Sequence, residues 1–489
     1  MDGVAGRDLA TDNKRKMREQ IYEVVMQKFW AAVAVTAAMV AAPAARSETL
    51  ADALISAYKT SHLLDQNQAV LRASDEDAAI ALAQLRPVVS FVTQASWTKL
   101  DNAFRTSAFG GVSGPFYTET KDATVGVTAQ FVIYAGGRGK LAVEAAKESV
   151  LATRASLVNI EQQVLLDAVS AYVNVRLQAE IVSLRESNVR LISQELQAAR
   201  DRFDVGEVTL TDVSLAEARR AAAQSGLAAA QGALEVARER YKAAIGHYPS
   251  NLSGLPKLPF AAKSEEAARA IAVRNHPVII QAGHEVKISD IRVKIAEAAF
   301  LPTVSSQLSV TEDWLSGSGN TVGSVTFSDT IYQGGERSAL YRQALAGKEA
   351  TAAAQLQSVV NVSEAVGQAW SNLMVQQASI QAGGLQVTAA QKAFDGVREE
   401  ATLGARTTLD VLNAEQELLS ARADKLQSEA SRYVGVYQLL SSMGQLTAEQ
   451  LNLGIPTFDP TAYYNAVKSA PLTSTRGKKL DKILKKIGN

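Results

Sequence analysis

The residues with the most reactive side chains are too scattered to form a catalytic or metal site. The four histidines lie far apart, and His284-Glu285 lacks the second histidine of a zinc-binding H-E-x-x-H motif. The run from Gly136 to Lys140 lacks the G-x-x-x-x-G-K-[ST] spacing of a phosphate-binding loop, so a strand-to-helix turn explains it better. The chain has no cysteine, which excludes thiol chemistry and cysteine-bound metals. We therefore expect no enzyme activity, no cofactor and no metal.

Two aspartates that follow glycine turns are the remaining chemically suggestive groups. Asp212 follows Gly206, and Asp410 follows Gly404 at the same spacing. A carboxylate just after such a turn can accept hydrogen bonds from the free N–H groups at the start of a helix. Helix capping is therefore one interpretation of both aspartates, and a specialised role is the other.

Those turns belong to an internal duplication, which the sequence shows directly. The two halves match in order at an offset of 198 residues: Ile133–Gly137 with Ile331–Gly335, Val205–Val213 with Leu403–Val411, Ala216-Glu217 with Ala414-Glu415, and Ile245-Gly246 with Met443-Gly444. Pro87 matches Pro302 at an offset of 215, which leaves 17 extra residues between the strands of the first half. Residues 48–263 are therefore predicted to be one structural repeat and residues 264–460 a second.

The N-terminus has the features of an export signal. Basic residues precede an apolar run from Phe29 to Ala42, which is too short for a spanning helix and typical of a secretory signal peptide. We assign residues 1–47 to this signal, with translation beginning at Met1, Met17 or Met26; a short membrane anchor is the alternative. No comparable apolar run follows, so strands are expected to make any membrane crossing.

The sequence of each half also predicts two β-strands, because apolar and polar residues alternate in two segments of each half. The apolar sets are Val89, Phe91, Ala95 and Trp97; Val125, Val127, Ala129, Phe131 and Ile133; Val304, Leu308, Val310 and Trp314; and Val325, Phe327 and Ile331. This pattern fits a membrane β-barrel or a half-buried soluble sheet equally well. Four strands cannot close a barrel, so membrane strands would require several copies to share one. The extra residues fall between Leu100 and Asp122, in a loop expected to be extracellular.

Long helices are predicted after each strand pair. Proline is absent from Phe116 to Tyr248 and from Thr303 to Ile455, as uninterrupted helices require. The stretch from Gly137 to Val205 is long enough for a helix of roughly 100 Å, with a turn at Gly206 and a return to about Gly246. The second half repeats this pattern, and residues 48–85 and 264–300 have the length to complete the shorter returning columns. The abundance of alanine and the aromatic content of 6% agree with closely packed helices.

With these motifs the chain resembles the TolC family of outer-membrane efflux and type I secretion channels, from about Glu48 to Pro460. The resemblance implies a mainly α protein with membrane β-structure: long helical hairpins form a periplasmic α-barrel, and four strands per chain contribute to a trimeric, 12-stranded β-barrel. It implies a homotrimer in the outer membrane of a Gram-negative bacterium. Its partners would be outer-membrane lipid, a periplasmic adaptor (membrane fusion) protein and an inner-membrane RND or ABC transporter.

The resemblance also assigns residues to a gate at the hairpin tips. Asp410 matches an acidic residue that rings the lumen and favours cations, and Asn413 stands where a second acidic ring is expected. The constriction would therefore carry three carboxylates per trimer rather than six, and the like charges would raise the carboxylate pKa values. Arg406 would latch the hairpin, with Thr211 and Asp212 beside it, and the expected partner tyrosine aligns with Ala401.

The other implied site residues are the tip glycines Gly206 and Gly404, expected to contact the adaptor, and the lipid-facing Phe91, Trp97, Phe131, Trp314 and Phe327. We thus expect a passive exit duct of a tripartite efflux pump or type I secretion system, gated at its periplasmic tips. A periplasmic coiled-coil adaptor without a pore is the alternative. Lys+Arg and Asp+Glu are balanced at 50 each, which gives no reason to expect nucleic acid as a partner. Residues 461–489 read as a basic tail, either disordered or lying on a membrane surface.

Overall fold

The computed structural model describes residues 47–102, 105–106, 112–113, 116–469 and 482. The predicted signal peptide, apart from Ser47, lies outside these residues. These described residues divide into a small unit, residues 47–49 with 249–255, and a large unit, which contains residues 50–248 and the described residues from 256 onward. In the small unit Glu48 forms a parallel bridge with Leu252, and its N–H donates to the carbonyl of Asn251 at 2.8 Å.

The large unit contains the same series of elements twice. The first series is α1 (Leu50–Thr60), α2 (His62–Ala83), β1 (Val88–Asn102), β2 (Arg105–Thr106), β3 (Val112–Ser113), β4 (Phe116–Tyr134), α3 (Arg138–Asp204) and α4 (Leu210–Ile245). The second is α5 (Glu265–Asn275), α6 (Pro277–Ala298), β5 (Thr303–Asp313), β6 (Ser318–Ser328), α7 (Glu336–Thr402) and α8 (Thr408–Ser442), followed by α9 (Ala462–Val467). Corresponding helices have 11, 22 and 67 residues in both series, and the returning helices have 36 and 35. The predicted duplication and mainly α fold with four long strands are confirmed.

The four long strands form one antiparallel sheet in the order β1-β4-β5-β6. Its register opposes Phe91 to Val127, Val127 to Val310, and Val310 to Thr321. Directly opposed residues point to the same face of a sheet, so the apolar sets predicted separately for the strands share one face. Of the expected lipid-facing residues, this face carries Phe91, Trp97, Phe131 and Phe327, whereas Trp314 follows the last residue of β5.

The other face of the sheet is mainly polar. Ser90 lies opposite Thr128, which lies opposite Ser309, and the hydroxyl oxygens of Thr128 and Ser309 are 3.4 Å apart. Gln130, Gln307 and Ser324 form a second row across three strands. One apolar and one polar face are what a sheet between lipid and a water-filled lumen requires.

Two strand ends differ from the sequence predictions. Ile331, predicted in the fourth strand, lies beyond the end of β6 at Ser328 and is 97% exposed. In the described part of the chain β6 pairs with β5 alone, and β5 begins opposite Ser328, so the next residues have no partner strand. Ile133 falls at a register shift between Val132 and Tyr134, so the predicted alternation breaks there.

The sequence predicted a loop between Leu100 and Asp122, but part of this segment is β-strand. β1 continues to Asn102 and β4 begins at Phe116, so the first hairpin adds paired rows beyond Thr98 and Thr120. The short pair β2 and β3 lies further along the same hairpin. Part of the 17-residue excess therefore lengthens the strands of the first hairpin.

The long helices follow the predicted bounds closely. α3 and α7 each begin after a glycine in the left-handed region, Gly137 at φ 83° and Gly335 at φ 85°, where a side chain would be strained. α3 packs against α4, and α7 against α8. α6 packs against both α3 and α7, which joins the two repeats. Among the described residues no helix is both long and apolar enough to cross a membrane.

The C-terminal segment differs from its predicted disorder at its start. α9 packs on α2, and Val467 is buried. Aromatic side chains hold this segment, with Phe458 and Tyr464 against the apolar cluster of Leu71, Ala78 and Val150. The predicted disorder is therefore wrong for residues 461–469. The rest of the predicted tail, apart from Lys482, lies outside the described residues.

Candidate functional site at the hairpin tips

The two hairpin tips have the same local construction. Gly206 and Gly404 end the outgoing helices with φ angles of 81° and 76°, and nothing lies within 4 Å of the place where a Cβ would stand. Thr209 and Thr407 then cap α4 and α8. The glycines are needed for backbone conformation, and the space beside them is open in the single chain.

Both tip aspartates form capping boxes. Asp212 Oδ2 accepts hydrogen bonds from the N–H and the hydroxyl of Thr209 at 3.0 and 2.7 Å, and its own N–H donates to Thr209 Oγ1 at 3.3 Å. The equivalent distances between Asp410 and Thr407 are 3.0, 2.8 and 3.2 Å. The geometry of both aspartates therefore agrees with helix capping. Both hydrogen bonds from Thr407 go to Asp410 Oδ2, so Asp410 Oδ1 is not used by the cap.

The caps also hold the aspartates in the charged form. Hydrogen bonds from the backbone and side chain of Thr407 hold the pKa of Asp410 below its usual value, and the charge of Arg406 acts in the same direction. Hydrogen bonds from Thr209 likewise lower the pKa of Asp212. Within one chain the effect on Asp410 is opposite to the rise expected from like charges around a lumen.

The structure pairs the predicted latch arginine with its own hairpin. Arg406 Nε lies 2.9 Å from Glu400 Oε2, and both side chains are half exposed. Thr211 is exposed, and Asp212 is engaged by Thr209. Solvent screens an exposed ion pair of this kind, so it contributes little to stability, and in the single chain Arg406 is only weakly held.

The position expected to hold a latch tyrosine is part of the apolar core. Ala401 is buried in a cluster with Phe394 and Val411, and its carbonyl accepts a hydrogen bond from Arg202 Nη1 at 3.4 Å. Arg202 belongs to the first hairpin (α3 with α4) and Ala401 to the second hairpin (α7 with α8). A contact between the hairpins therefore exists at this position without a tyrosine.

The second predicted gate residue is also engaged across the hairpins. Arg219 of α4 donates a hydrogen bond from Nη2 to Asn413 Oδ1 at 3.0 Å. Beside it, Leu412 of α8 is buried against Leu196, Val213 and Ala216 of the first hairpin. Asp410 and Asn413 thus belong to a helix end that apolar packing and a polar contact fix against the other hairpin.

The duplication is broken at one pair of charges near the tips. In the first hairpin Arg200 and Glu217 form an ion pair at 2.5 Å with both side chains half exposed. The residues at the equivalent positions are Arg398 and Glu415, 198 further along the chain. Arg398 Nε instead lies 3.1 Å from Glu195 Oε1 of the first hairpin, where the Glu195 side chain is 8% exposed.

Glu415 also turns to the first hairpin, where it is buried. Its Oε1 accepts a short hydrogen bond from the side-chain amide of Asn188, and the residue is 4% exposed. Burial raises the pKa of Glu415 to about 7, and nearby Glu195 adds to the rise. The Asn188 amide and Arg219 act in the opposite direction. This carboxyl is therefore a proton-binding group between the hairpins near neutral pH.

Sequence reasoning missed this set of contacts between hairpins. It identified Glu415 as a repeated residue but not as buried, and it gave Asn188, Glu195, Arg219 and Arg398 no role. One signal was present, because the first repeat has Arg202 and Arg219 where the second has Glu400 and Glu417. Arg202 and Arg219 both contact the second hairpin, at Ala401 and Asn413, so this difference between the repeats coincides with contacts between the hairpins.

The chain is similar in sequence to known proteins. A family model described as outer membrane efflux protein matches residues 53–247 and 269–445. The outer membrane efflux protein BepC of Brucella suis biovar 1 is 35% identical over 462 residues, which cover 92% of this chain and 97% of that protein. The outer membrane protein TolC of Escherichia coli K12 is 25% identical over 60% of this chain and 63% of its own length.

A solved structure shares the fold. The Campylobacter jejuni CmeC outer membrane channel superposes with a TM-score of 0.72 at 16% identity, covering 86% of this chain and 89% of that chain. At this level of identity the likeness concerns the arrangement of helices and strands alone.

Proposed function

Because the chain belongs to the outer membrane efflux protein family, we propose that three copies form a passive exit duct, gated at its periplasmic hairpin tips, for a tripartite export system. Membership confirms the predicted TolC-type family, the location in the outer membrane of a Gram-negative bacterium and the channel class. It also confirms that the chain is not an enzyme, since the family consists of outer membrane channels.

The open sheet is the observation that carries the trimer proposal. In the described residues β1 and β6 are the edge strands of a four-stranded sheet. Unpaired backbone groups at such edges are too costly to leave in lipid, and single-chain membrane barrels begin at about eight strands. Joining β6 of one copy to β1 of the next pairs every edge, and three copies give the 12 strands that the family resemblance implies.

The gate proposal is supported by the contacts at the tips. α8 is fixed against the first hairpin by Arg219–Asn413, Glu195–Arg398 and Asn188–Glu415. Opening a constriction at Asp410 requires the second hairpin to move relative to the first, so these contacts oppose opening. Arg406, with its weak partner, is available to a neighbouring copy and would add a contact between protomers.

The family resemblance and the open hairpin tips support the proposed partners. The open space beside Gly206 and Gly404 accommodates the tip of a periplasmic adaptor, which would connect the duct to an inner-membrane RND or ABC transporter. The duct itself supplies no energy and has little selectivity for its cargo. The transporter would therefore determine whether drugs, proteins or polysaccharides are exported. Two hairpins with four amphipathic strands argue against the alternative of a soluble adaptor, whose expected form is one hairpin in a soluble β-domain.

Reconstitution tests the proposal. Detergent-extracted protein should size as a trimer, and in planar bilayers it should give small closed-state currents that increase when the tips are destabilised. A water-soluble monomer without conductance would rule the duct out and favour the adaptor interpretation.

A further inference from the structure

The two strand hairpins of the chain have the same register. β1 pairs with β4 so that Val88 lies opposite Gln130, and β5 pairs with β6 so that Thr303 lies opposite Ser328. Thr303 follows Val88 by 215 residues and Ser328 follows Gln130 by 198, which are the two offsets of the sequence duplication. The duplication therefore holds in the strand pairing, and each residue of one hairpin identifies its counterpart in the other.

The pairing of β4 with β5 joins the first repeat to the second. Val127 lies opposite Val310 there, and after a register shift the pairing ends with Tyr134 opposite Val304. In the described residues β6, the counterpart of β4, pairs with β5 alone, and β1, the counterpart of β5, pairs with β4 alone. A second copy of the chain can therefore supply to β6 the neighbour that β5 supplies to β4.

Both free edges have sequences that favour pairing. β6 contains neither a charged residue nor proline, and the same is true of β1 from Val88 to Thr98. Natural edge strands that remain unpaired are usually protected by lysine, proline or a bulge. Every residue of β6 is exposed. Two long, uncharged edges of this kind are suited to pair with each other in an assembly.

The side chains that follow β6 are also uncovered. Ile331 is 97% exposed and Tyr332 is 86% exposed. Their counterparts in the first repeat, Ile133 and Tyr134, lie beside β5 and are 53% and 45% exposed. A neighbouring strand in the position of β5 would cover Ile331 and Tyr332 to a similar extent.

The end of β6 differs from the end of β4 for the same reason. β4 continues to Tyr134, whereas β6 ends at Ser328, four residues before the equivalent position. β1 pairs with β4 only as far as Gln130, so the last residues of β4 have β5 as their only partner strand in the described chain. Residues 329–332 lack such a partner, and this accounts for the shorter β6.

We propose that β6 of one copy pairs with β1 of the next copy in the register that β4 and β5 show within the chain, and that residues 329–332 become strand only in this assembly. The two offsets then place Val325 opposite Ala95 of the next copy, and Ser324 opposite Ser96. The first pair lies on the apolar face of the sheet and the second on the polar face, so both faces continue across the junction. This pairing rests on the proposed trimeric duct and specifies its partner residues.

Disulfide crosslinking measures the register, because the chain has no cysteine of its own. The double variant Val325→Cys with Ala95→Cys is compared with Val325→Cys combined with Thr93→Cys or with Trp97→Cys. These two controls keep the same face but shift the register by two residues in either direction. Within one chain β4 and β5 separate the two cysteines by about 14 Å, which is too far for a disulfide. Any crosslink between them therefore joins two copies.

Detergent-extracted protein is oxidised with copper phenanthroline and analysed on non-reducing gels. We expect the variant with cysteines at 325 and 95 to crosslink several-fold faster than both shifted controls. Each copy carries one cysteine at each edge, so the crosslinked species should end at the trimer.

Equal or faster crosslinking in a shifted control would overturn the register, and so would a protein that sizes as a trimer but crosslinks in none of the three variants. Both results leave the trimeric duct intact. A monomer that crosslinks in no variant would instead remove the duct and the register together.

A second pair of cysteines tests the added strand residues. The same transfer of register, with a bulge at Ile331, places Tyr332 opposite Val89 of the next copy. Tyr332→Cys with Val89→Cys should crosslink about as fast as the pair at 325 and 95, and much faster than the shifted control Tyr332→Cys with Phe91→Cys. If the pair at 325 and 95 forms but the pair at 332 and 89 does not, residues 329–332 stay unpaired and the proposed extension of β6 is overturned.

Discussion

Arg398 of the second hairpin pairs with Glu195 of the first, with its Nε atom 3.1 Å from Glu195 Oε1. Its counterpart in the first repeat, Arg200, pairs instead with Glu217 on the neighbouring helix of its own hairpin. Two copies of one unit thus use the same arginine position for different purposes. In the first copy it joins the two helices of one hairpin, and in the second it joins the hairpins to each other.

This divergence gives a matched pair of variants. Arg398→Ala leaves the buried Glu195 carboxylate without its ion-pair partner and should cost about 1–3 kcal/mol of stability, whereas Arg200→Ala removes an exposed pair worth at most about 1 kcal/mol. We expect Arg398→Ala to increase closed-channel leak in planar bilayers and Arg200→Ala to leave it unchanged. Equal leak in the two variants would mean that the contact between hairpins does not oppose opening.

Asp410 and Asp212 form a second matched pair. Both cap a helix with nearly equal geometry, so Asp410→Ala and Asp212→Ala should lower stability by similar, small amounts. If Asp410 rings the lumen, its variant alone should lose cation selectivity and block by multivalent cations. Reversal potentials in asymmetric salt measure this, and an equal change in both variants would contradict the assignment of Asp410 to the gate.

Arg406 can be tested against Glu400. If Arg406 is a latch between copies, Arg406→Ala should raise closed-channel leak, while Glu400→Gln, which removes its partner within the chain, should not. Neither change should shift the thermal unfolding midpoint measurably, because the pair is half exposed. Leak that rises equally in both variants would place the role of Arg406 within its own hairpin, and unaltered leak in both would remove it from the latch.

Glu415 should make the hairpin contact dependent on pH. Its folded-state pKa, raised from 4.5 to about 7, means that the folded chain holds a proton that the unfolded chain releases between these values. Its contribution to stability is therefore complete below about pH 4.5 and is lost as the pH rises through about 7, by up to roughly 3 kcal/mol.

Thermal unfolding followed by circular dichroism at pH 5 and pH 8 measures the effect. Glu415→Gln, which is neutral and keeps an acceptor for Asn188, should remove that part of the pH dependence. Glu417→Gln, an exposed neighbour, is the control and should behave as the unmodified chain does. A pH dependence that survives Glu415→Gln would show that another group is responsible.

The tip glycines test the adaptor contact. Asn tolerates positive φ, so Gly404→Asn adds a side chain to open space with little backbone strain. If the adaptor occupies that space, crosslinking to it in cells should decrease while the unfolding midpoint is retained. Gly317→Asn, at an equally open position with φ 67° in the β5–β6 turn, should leave crosslinking unchanged; a loss there too would point to misfolding rather than to the tips.

Much of the fold could be predicted because it depends on local patterns that occur twice. Glycine turns and the absence of proline predicted where the long helices α3 and α7 begin and end to within a residue or two. The end of β6 could not be found this way, because Ile331 continues the apolar pattern and only the lack of a partner strand ends the ladder at Ser328. The end of a strand depends on where its neighbouring strands end, and the alternation of residues within one strand does not indicate this.

The site was predictable only in part for a related reason. Gly206, Gly404, Asp212 and Asp410 follow from turn chemistry, and the structure finds them at the tips. The partners across the hairpins, such as Asn188 and Arg219, depend on how two helices lie side by side, and their side chains carry no distinctive spacing. The docked segment around Tyr464 was missed because its few aromatic residues pack singly against a surface formed by α2 and α3.

The equal length of α3 and α7, 67 residues each, constrains how such a chain can change in evolution or by design. A deletion in one long helix alone would move its tip along the hairpin axis and separate Arg398 from Glu195 and Arg219 from Asn413. A shorter or longer duct therefore requires coordinated indels in both repeats, and in steps of about seven residues, so that each seam keeps its register.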